Sequence, residues 1–547
     1  MFGNNVRARW VTVAAGAASL ALVLSACGGS TPEKPAATGG AGGGGGIITA
    51  YGSEPQNPLL PANTNETGGG RIMKLLFEGL ISYDGEGKPV NEVAESIDTT
   101  DAQTYTIKLK PGWKFTNGEP VNAKSFVDAW NYGALIDNAQ LNAYFFEPIE
   151  GYADVHPDAE GAKATAKTMK GLAVVDESTF TVKLASAQAS FPLRLGYTAF
   201  FPLPQAAYKD IKAFGDSPIG NGSYMLDGKW MHNVNIKVKK NPTYKGTLVA
   251  KNAGVDVKVY TDDKAGYTDL LANNLDVIDT IPDSALANFK GDLGDRAINA
   301  PAGIFQSFSF PLYQPQWKAA NANKVRQAIS MAIDRKTITD KIFQGTRTPA
   351  TDFSSPVVQG YSKDICGEFC LFDAAKAKAL LAEAGGFTGK LEIAYNADGG
   401  HKAWVDAVCN SIKNAIAIDC IGKSYPDFKS LRDPITKFTM KSAFRTGWQM
   451  DYPALENFLA PIYAKGAGSN DAKYDNPAFD ALLKQGDTAK TPEESIKLFQ
   501  DAEKLLVADM PAIPLWYSNR TGGYSETVSN VKFDVFGVPI YTEITKK

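Results

Sequence analysis

The sequence predicts a mixed α/β protein built as two large lobes. Its 547 residues are too many for one hydrophobic core, so we expect two or three domains. Alternating apolar residues mark strands through the first half of the chain, and helical stripes become more frequent after about residue 322. Hydrophobic residues make up 44% of the chain and charged residues 21%, which is typical of a soluble globular protein.

Strands are predicted where apolar side chains recur at every second position. The clearest cases are the segments TYTIKLK (104–110), TFTVKLA (179–185), NVNIKVKKN and GVDVKVY. A shorter apolar strand near Ile47–Tyr51 opens the folded body and runs into a turn rich in Gly, Ser and Pro. PAIPLWYS (511–518) is predicted to return to extended chain near the C-terminus.

Helices are predicted where apolar positions fall three and four residues apart. The first is expected from about Gly70 to Gly79, and later ones in SFVDAWNYGALI, NKVRQAISMAIDRKTITDKIFQ and DAAKAKALLAEAGG. The helix in TPEESIKLFQDAEKLLVAD has an N-terminal capping box, with Thr491 as N-cap, Pro492 in the first turn and Glu494 three residues after the cap.

Charge and motif content exclude several classes of function. The net charge is -3 with both signs interspersed, whereas a nucleic-acid-binding protein needs a basic stripe. His156, His232 and His401 are far apart and form no HExxH motif, so we expect neither a histidine-built metal centre nor a cofactor. Ser469 in GAGSN does not fit a G-x-S-x-G elbow, and we expect no enzyme activity.

The first 26 residues are predicted to be a signal peptide. Arg7 and Arg9 precede the uncharged stretch 10–26, which is at the short limit for a membrane span, the alternative interpretation. The residues LSAC at 24–27 resemble the lipobox of bacterial lipoproteins, which implies cleavage before Cys27 and its lipidation. Glycine dominates the following residues, so 27–46 is expected to be a lipidated cysteine and a flexible tether.

The remaining four cysteines form an even set, and export from the cytoplasm favours disulfides. Their spacing suggests the pairs Cys366–Cys370 and Cys409–Cys420, although the other two connectivities stay open. A four-thiolate zinc site is the alternative, but the two C-x-x-C knuckles typical of such sites are missing.

A lone acid among aromatic residues stands out in GWQMDYP (447–453). Asp451 is surrounded by Trp448, Met450 and Tyr452, either as a surface loop with its aromatic residues packed inward or as the wall of a binding cleft. Clefts between domains are a common place for ligand sites. The local residues alone leave both interpretations open.

Several stretches together resemble the oligopeptide- and dipeptide-binding proteins of ABC importers, family 5 of the extracellular solute-binding proteins. They include TYTIKLKPGWKFTNGEPVNAKSFVDAW (104–130), VRQAISMAIDRKTI, GWQMDYPALENFLAP and AEKLLVADMPAIPLWY, in the family's order. The segment SPIGNGSYML has Ser223 where the family usually has proline, and Asn273-Asn274 replace its Gly-Glu. The matches span about 50 to 520.

The resemblance implies a type II periplasmic-binding-protein fold with an extra inserted domain and a cleft between two lobes. Crossovers near Pro301–Ser309 and Pro511–Ser518 would form the hinge. The implied domains are lobe I at 47–80, 206–304 and 509–547, the inserted domain of lobe I at 81–205, and lobe II at 305–508.

The resemblance also assigns a role to Asp451, which would bind the α-ammonium of a peptide, and makes Trp448 an apolar wall beside it. A buried ammonium needs such an anion, because an unpaired buried charge costs several kcal/mol. Other expected ligand-binding residues are Asn65, Glu66 and Thr67 as a segment alongside the peptide, Tyr144 or Phe146 in a side-chain pocket, and Trp516 and Tyr517 near the cleft floor.

The implied function is the capture of oligopeptides outside the cell and their delivery to an ABC permease, by a monomer anchored through lipid on Cys27 to the outer face of the bacterial membrane. Alternatives are a receptor for cello- or chito-oligosaccharides, a receptor for peptide signals and, less in keeping with the motifs, an exported hydrolase. A sugar would bring aromatic stacking but no ammonium for Asp451.

Overall fold

The computed structural model describes residues 45–64, 66–157, 161–397, 400–426, 428–489 and 491–547. The segments that sequence patterning predicts as strands are strands. Together with strands that the patterning did not predict, the strands of the described residues are β1 Gly45–Gly52, β2 Ile81–Tyr83, β3 Pro89–Asn91, β4 Ala94–Thr99, β5 Thr104–Leu109, β6 Leu172–Asp176, β7 Thr179–Lys183, β8 Tyr224–Leu226, β9 Asn235–Lys240, β10 Asn252–Val259, β11 Val277–Ile278, β12 Ala297–Ser309, β13 Arg347–Pro349, β14 Leu391–Asn396, β15 Cys420–Tyr425, β16 Ala443–Gln449, β17 Ala512–Tyr524, β18 Val528–Ser529 and β19 Thr545–Lys546.

Helices lie between these strands and become denser in the second half. They are α1 Thr67–Leu76, α2 Ala123–Ala134, α3 Tyr152–Val155, α4 Phe191–Arg194, α5 Ile211–Asp216, α6 Asp263–Leu271, α7 Phe289–Leu293, α8 Pro315–Lys318, α9 Ala322–Met331, α10 Arg335–Lys341, α11 Ala374–Glu383, α12 Lys402–Ile416, α13 Phe428–Thr436, α14 Glu456–Tyr463, α15 Pro477–Asp487 and α16 Pro492–Asp509.

Two long strands connect the halves of the main sheet. Its order is β15-β14-β16-β12-β17-β11-β1-β10-β9-β8, with β13 also paired to β17. β12 and β17 run antiparallel over 13 residues each, from Ala297 opposite Gly523 to Ser309 opposite Ala512. The register shifts between Pro301 and Ile304, which marks a bulge where the ribbon passes from one half to the other.

Two large hydrophobic cores lie on either side of this ribbon. Most members of the first lie between Ile48 and Val257, together with Val528, Tyr541 and Ile544 from the C-terminus. The second takes its members from 308 to 516. Separate cores give the α/β chain a two-lobed architecture, as the sequence predicts, because each lobe buries its own apolar surface.

The region expected to be the inserted domain contains its own antiparallel sheet, β4-β5-β7-β6. α2 packs on it through Trp130, which is fully buried among aromatic rings and donates its indole N–H to the Phe200 carbonyl at 2.9 Å. The boundaries 81–205, and those of the two lobes, stay predictions.

Two predicted helix boundaries are wrong. α1 spans Thr67–Leu76 rather than 70–79, because the Glu66 carboxylate accepts from the backbone N–H groups of Gly68 and Gly69 and starts the helix early. The helical stripe after residue 322 is broken into α9 and α10, because the Asp334 side chain caps a new helix by accepting from the Thr337 N–H at 3.0 Å. Thr491 does cap α16, accepting from the Glu494 N–H at 3.2 Å.

The expected tether is shorter than predicted. Gly45 and Gly46 belong to β1, where Gly45 is paired with Asn252 of β10, so these two residues are part of the folded body. The signal peptide, Cys27 and the rest of the tether lie outside the described residues. Among the helices that are described, none is both long and apolar enough to cross a membrane.

The structure forms two disulfides in the second lobe. Cys366 is bonded to Cys370 and Cys409 to Cys420, the pairing that the spacing suggested. The second bond ties α12 to the start of β15, and all four cysteines are buried in the second core.

A pair of buried carboxyl groups lies in the second lobe, between α16 and the segment that follows β13. Asp352 and Glu503 are fully buried and interact with each other. Burial raises the pKa of Asp352 to about 6, and burial together with the Asp352 charge raises the pKa of Glu503 well above its usual value. The pair therefore takes up protons on folding.

Stability conferred by this pair should be present at low pH and lost as pH rises through 6, because both folded pKa values lie above their unfolded values. Glu503→Gln replaces an acid that folding must keep protonated or bury as a charge, so at pH 8 we expect it to raise the free energy of unfolding by about 1–3 kcal/mol. Thermal unfolding at pH 5 and pH 8 measures this. Glu493→Gln, on the exposed first turn of α16, is the matched control. A Glu503→Gln protein less stable than wild type at pH 8 would contradict the prediction.

Candidate functional site

Asp451 lies just beyond the end of β16, where the chain turns into α14. Its backbone N–H donates to Asn457 Oδ1 at 2.9 Å, and Asn457 Nδ2 donates to Asp451 Oδ2 at 3.2 Å. Asn457 is buried on the first turn of α14. This two-way contact fixes the carboxylate relative to a rigid helix.

The strand end before Asp451 is held close to β12. The Met450 N–H donates to the Gly303 carbonyl at 2.9 Å, inside the bulge of β12. A Cβ on residue 303 would overlap the Met450 thioether, so a larger residue there would force this side chain to move. The carboxylate thus sits where β12 crosses between the lobes.

A cleft of about 320 Å³ opens in front of Asp451. One wall comes from 449–451 of the second lobe. The other comes from Thr64, Glu66 and α1, from Tyr83, from 196–198 and from Phe536 and Val538. The cleft therefore lies between residues of both lobes, which is where interdomain ligand sites occur.

Burial raises the pKa of Asp451 to about 6. The hydrogen bond from Asn457 and the positive charge of Arg194 act in the opposite direction, and the nearby Glu456 charge adds to the rise. Within the part of the chain that the structure describes, no Lys, Arg or His forms an ion pair with Asp451. The carboxylate is charged at neutral pH but incompletely compensated.

An ionic cluster lies behind Asp451 and joins the two lobes. Arg194, at the end of α4, is 3.5 Å from Glu456 Oε1 of α14 and stacks over the Tyr452 ring at 5.3 Å. Tyr452 donates its hydroxyl to Glu456 Oε2 at 2.6 Å. Burial and the Glu456 charge raise the pKa of Asp487, at the end of α15, to about 8. Asp451 thus shares its surroundings with more acids than cations.

Aromatic rings line the side of the cleft contributed by the first lobe. Tyr197 stacks on Phe145 with ring centroids 3.9 Å apart, and Tyr144 packs on the same ring at 4.6 Å. Burial and the charge of Asp451 raise the pKa of Tyr144, so its phenol is within electrostatic reach of the carboxylate. Tyr144 remains half exposed beside the cleft, whereas Phe146 is fully buried in the core.

A larger cavity of about 610 Å³ lies elsewhere between the lobes, and its charges are already satisfied. Glu456 at its edge is paired with Arg194 and Tyr452. Asp101 accepts from the backbone N–H groups of Gln103 and Thr104 at 2.9 and 2.7 Å. The smaller cleft is the better candidate site because it contains the incompletely compensated Asp451.

The structure places two residues of the segment 65–67, which was expected to run alongside a bound peptide, in the lining of the cleft. Asn65 is outside the described residues. Glu66 and Thr67 line the cleft, but Glu66 uses its carboxylate to cap α1 at 2.7 and 2.8 Å. Thr67 is the first residue of α1, and the role of this segment beside a ligand stays a prediction.

Trp448 does not form the wall of the cleft. Its side chain packs in a small cluster with Phe305, Met450 and Tyr517, and its indole N–H donates to Asn457 Oδ1 at 3.1 Å. Along this strand end it is Gln449, Met450 and Asp451 that line the cleft. Trp448 thus contacts Asn457, which in turn is hydrogen-bonded to Asp451.

Trp516 and Tyr517 lie in cores rather than at the cleft floor. Trp516 is fully buried, donates to Gln306 Oε1 at 2.8 Å and packs edge-on against Trp404 at 5.4 Å. The Tyr517 hydroxyl accepts from the Thr351 N–H at 3.1 Å. β17 is a central strand paired on both edges, and this stretch of it is covered on both faces, so neither residue contributes to the cleft lining.

Sequence patterning did not identify Lys74, Tyr83, Arg194, Tyr197 or Phe536, which the fold brings around the site. They come from widely separated segments, and each has an ordinary local context. Only the fold itself shows that these segments meet near Asp451.

Comparisons with known proteins identify the family and the fold of the chain. The family profile described as bacterial extracellular solute-binding proteins, family 5 Middle, matches residues 88–470. The oligopeptide-binding protein OppA of Bacillus subtilis is 25% identical over 530 residues, covering 93% of this chain and 94% of that protein.

Solved structures with the same fold include the unliganded open form of the murein tripeptide-binding protein MppA, with TM-score 0.80, 22% identity and coverage of 92% of this chain and 97% of that one. Haemophilus influenzae OppA in complex with RPPGFSPFR has TM-score 0.70 and 23% identity, with 91% and 98% covered. The chain therefore belongs to family 5 of the bacterial extracellular solute-binding proteins, which are transport receptors rather than enzymes.

Proposed function

We propose that this protein captures oligopeptides outside the cell and delivers them to an ABC permease for import. The observation that carries the proposal is the incompletely compensated carboxylate of Asp451 in an interlobe cleft. A free peptide brings an α-ammonium, which would pair with this carboxylate through charge-assisted hydrogen bonds. The curated relative from Bacillus subtilis is an oligopeptide-binding protein, which supports the same ligand class.

The aromatic wall and the α1 face would contact the rest of the peptide. Tyr83, Tyr197 and Phe536 offer apolar surface, and Tyr144 lies at the rim. A ligand held by both walls would stabilise the closed arrangement of the lobes, because it makes contacts there that the open arrangement lacks. Bending at β12 and β17 would accompany this closure.

The N-terminal residues support a location of the receptor at the outer face of the membrane. LSAC at 24–27 supports lipidation of Cys27, and the glycine-rich residues that follow it would act as a tether. An anchored monomeric receptor searches near the membrane and so raises its effective concentration at the permease.

Native mass spectrometry of the protein purified from cells grown in rich medium tests the proposed ligand class. We expect co-purified masses of short peptides in wild type and their loss in Asp451→Asn, because the amide cannot neutralise an ammonium. Asp295→Asn removes one exposed carboxylate outside the cleft and should retain the peptides. Co-purified oligosaccharides, retained equally by Asp451→Asn, would instead establish a sugar receptor.

Peptide affinity should depend on pH in a bell-shaped way. Asp451 attracts an ammonium only in its ionised form. Because its pKa is about 6, this form is lost as pH falls below 6. The peptide α-ammonium loses its proton above about pH 8. Isothermal titration calorimetry should therefore show roughly tenfold weaker binding at pH 5 than at pH 7.

The acid limb of this profile is specific to Asp451, so it should disappear in Asp451→Asn, whose residual binding would vary little between pH 5 and pH 7. A wild-type affinity that stays constant from pH 7 to pH 5 would show that the carboxylate does not bind the ligand's charge.

A further inference from the structure

The cleft contains a lysine whose hydrogen-bonding capacity is unused. Lys74 lies on the same face of α1 as Thr67, Gly70 and Arg71, and these residues line the cleft together because they are spaced three and four apart. Its ammonium is 3.9 Å from Asp534 Oδ2 and 4.0 Å from the centroid of the Phe536 ring. Neither contact is a hydrogen bond, and the described residues offer Lys74 no other acceptor.

The other charged side chains of the cleft wall, Arg71 and Glu66, already have hydrogen-bond partners within the protein. Arg71 donates to the Asp279 carboxylate and to the Tyr51 carbonyl. The Glu66 carboxylate accepts from the first N–H groups of α1. Asp451 and Lys74 are therefore the anion and the cation of this lining that remain available to a ligand.

The Asp534 carboxylate neutralises Lys74 only in part. Its Oδ1 accepts from the Phe536 and Val538 N–H groups at 2.9 Å each, which fixes the turn that carries these two cleft residues. Asp534 therefore has a structural use of its own. The partly exposed Lys74 ammonium can turn its three donors toward the cleft.

The Lys74 ammonium and the Asp451 carboxylate are linked through two aromatic residues of the cleft. Lys74 contacts Phe536, the Phe536 ring lies 5.6 Å from the Tyr83 ring, and the Asp451 charge reaches the Tyr83 phenol. Phe536 and Tyr83 thus line the same cleft as the cation and the anion, with Phe536 in contact with Lys74 and Tyr83 within electrostatic reach of Asp451. A ligand with opposite charges at its two ends fits this arrangement.

We propose that Lys74 binds the C-terminal carboxylate of the peptide whose α-ammonium binds Asp451, so that the cleft selects short zwitterionic peptides. This inference rests on the proposed peptide-binding function. Each residue adds at most about 3.3–3.6 Å to an extended chain. The volume of about 320 Å³ is at the low end for ligand pockets, which favours peptides of two or three residues over longer ones.

Calorimetry with one tripeptide as its free acid and as its C-terminal amide tests the proposal. For wild type we expect the amide to bind at least about tenfold more weakly, because a charge-assisted hydrogen bond is lost. In Lys74→Met the free acid should bind as weakly as the amide. Lys74→Arg keeps the charge and should keep most of the preference for the acid.

Lys378→Met is the matched control, because it removes an exposed lysine of α11 in the second lobe and should bind both peptides as wild type does. Thermal unfolding of each variant checks that the fold is retained. Equal binding of acid and amide by wild type would overturn the role of Lys74, and so would an equal preference for the acid in wild type and Lys74→Met. Failure of wild type to bind either peptide would overturn the proposed function as well.

Discussion

The burial of one carboxylate without a full counter-charge is the constraint on which the site depends. Removing a charge from water costs several kcal/mol unless a partner replaces the lost solvation. At Asp451 the fold supplies one amide donor from Asn457 and a more distant guanidinium from Arg194. The carboxylate is therefore incompletely compensated, and in the proposed function a cationic ligand group would supply the missing charge.

The architecture around this carboxylate fixes its position and leaves its front open. β16 ends beside the bulge of β12, and Trp448 supports the Asn457 side chain that holds Asp451. Behind it, Arg194 and Glu456 join the two lobes through an ion pair that is mostly buried. In the proposed function, ligand capture and lobe closure would therefore be linked in space, because the short segment 451–457 carries both Asp451 and the Glu456 that pairs with Arg194.

Local patterns predicted much of the fold. Alternation located β5 and β7, the Thr491 cap located the start of α16, and spacing suggested both disulfides. Asp451 itself was identified by its aromatic context and by resemblance. Long-range geometry was less accessible: Trp516 looked like a cleft residue but is covered on both faces of a central strand, and Lys74 lies in an ordinary helix whose cleft-facing side depends on segments hundreds of residues away.

Comparing a free tripeptide with its N-acetylated form tests the central claim most directly, since acetylation removes the ammonium charge and leaves the side chains unchanged. Calorimetry at pH 7 should show at least about a hundredfold weaker binding for the acetylated peptide, because the buried carboxylate would lose its counter-charge. Equal affinity of the two forms would contradict the account, since Asp451 would then have no part in choosing the ligand.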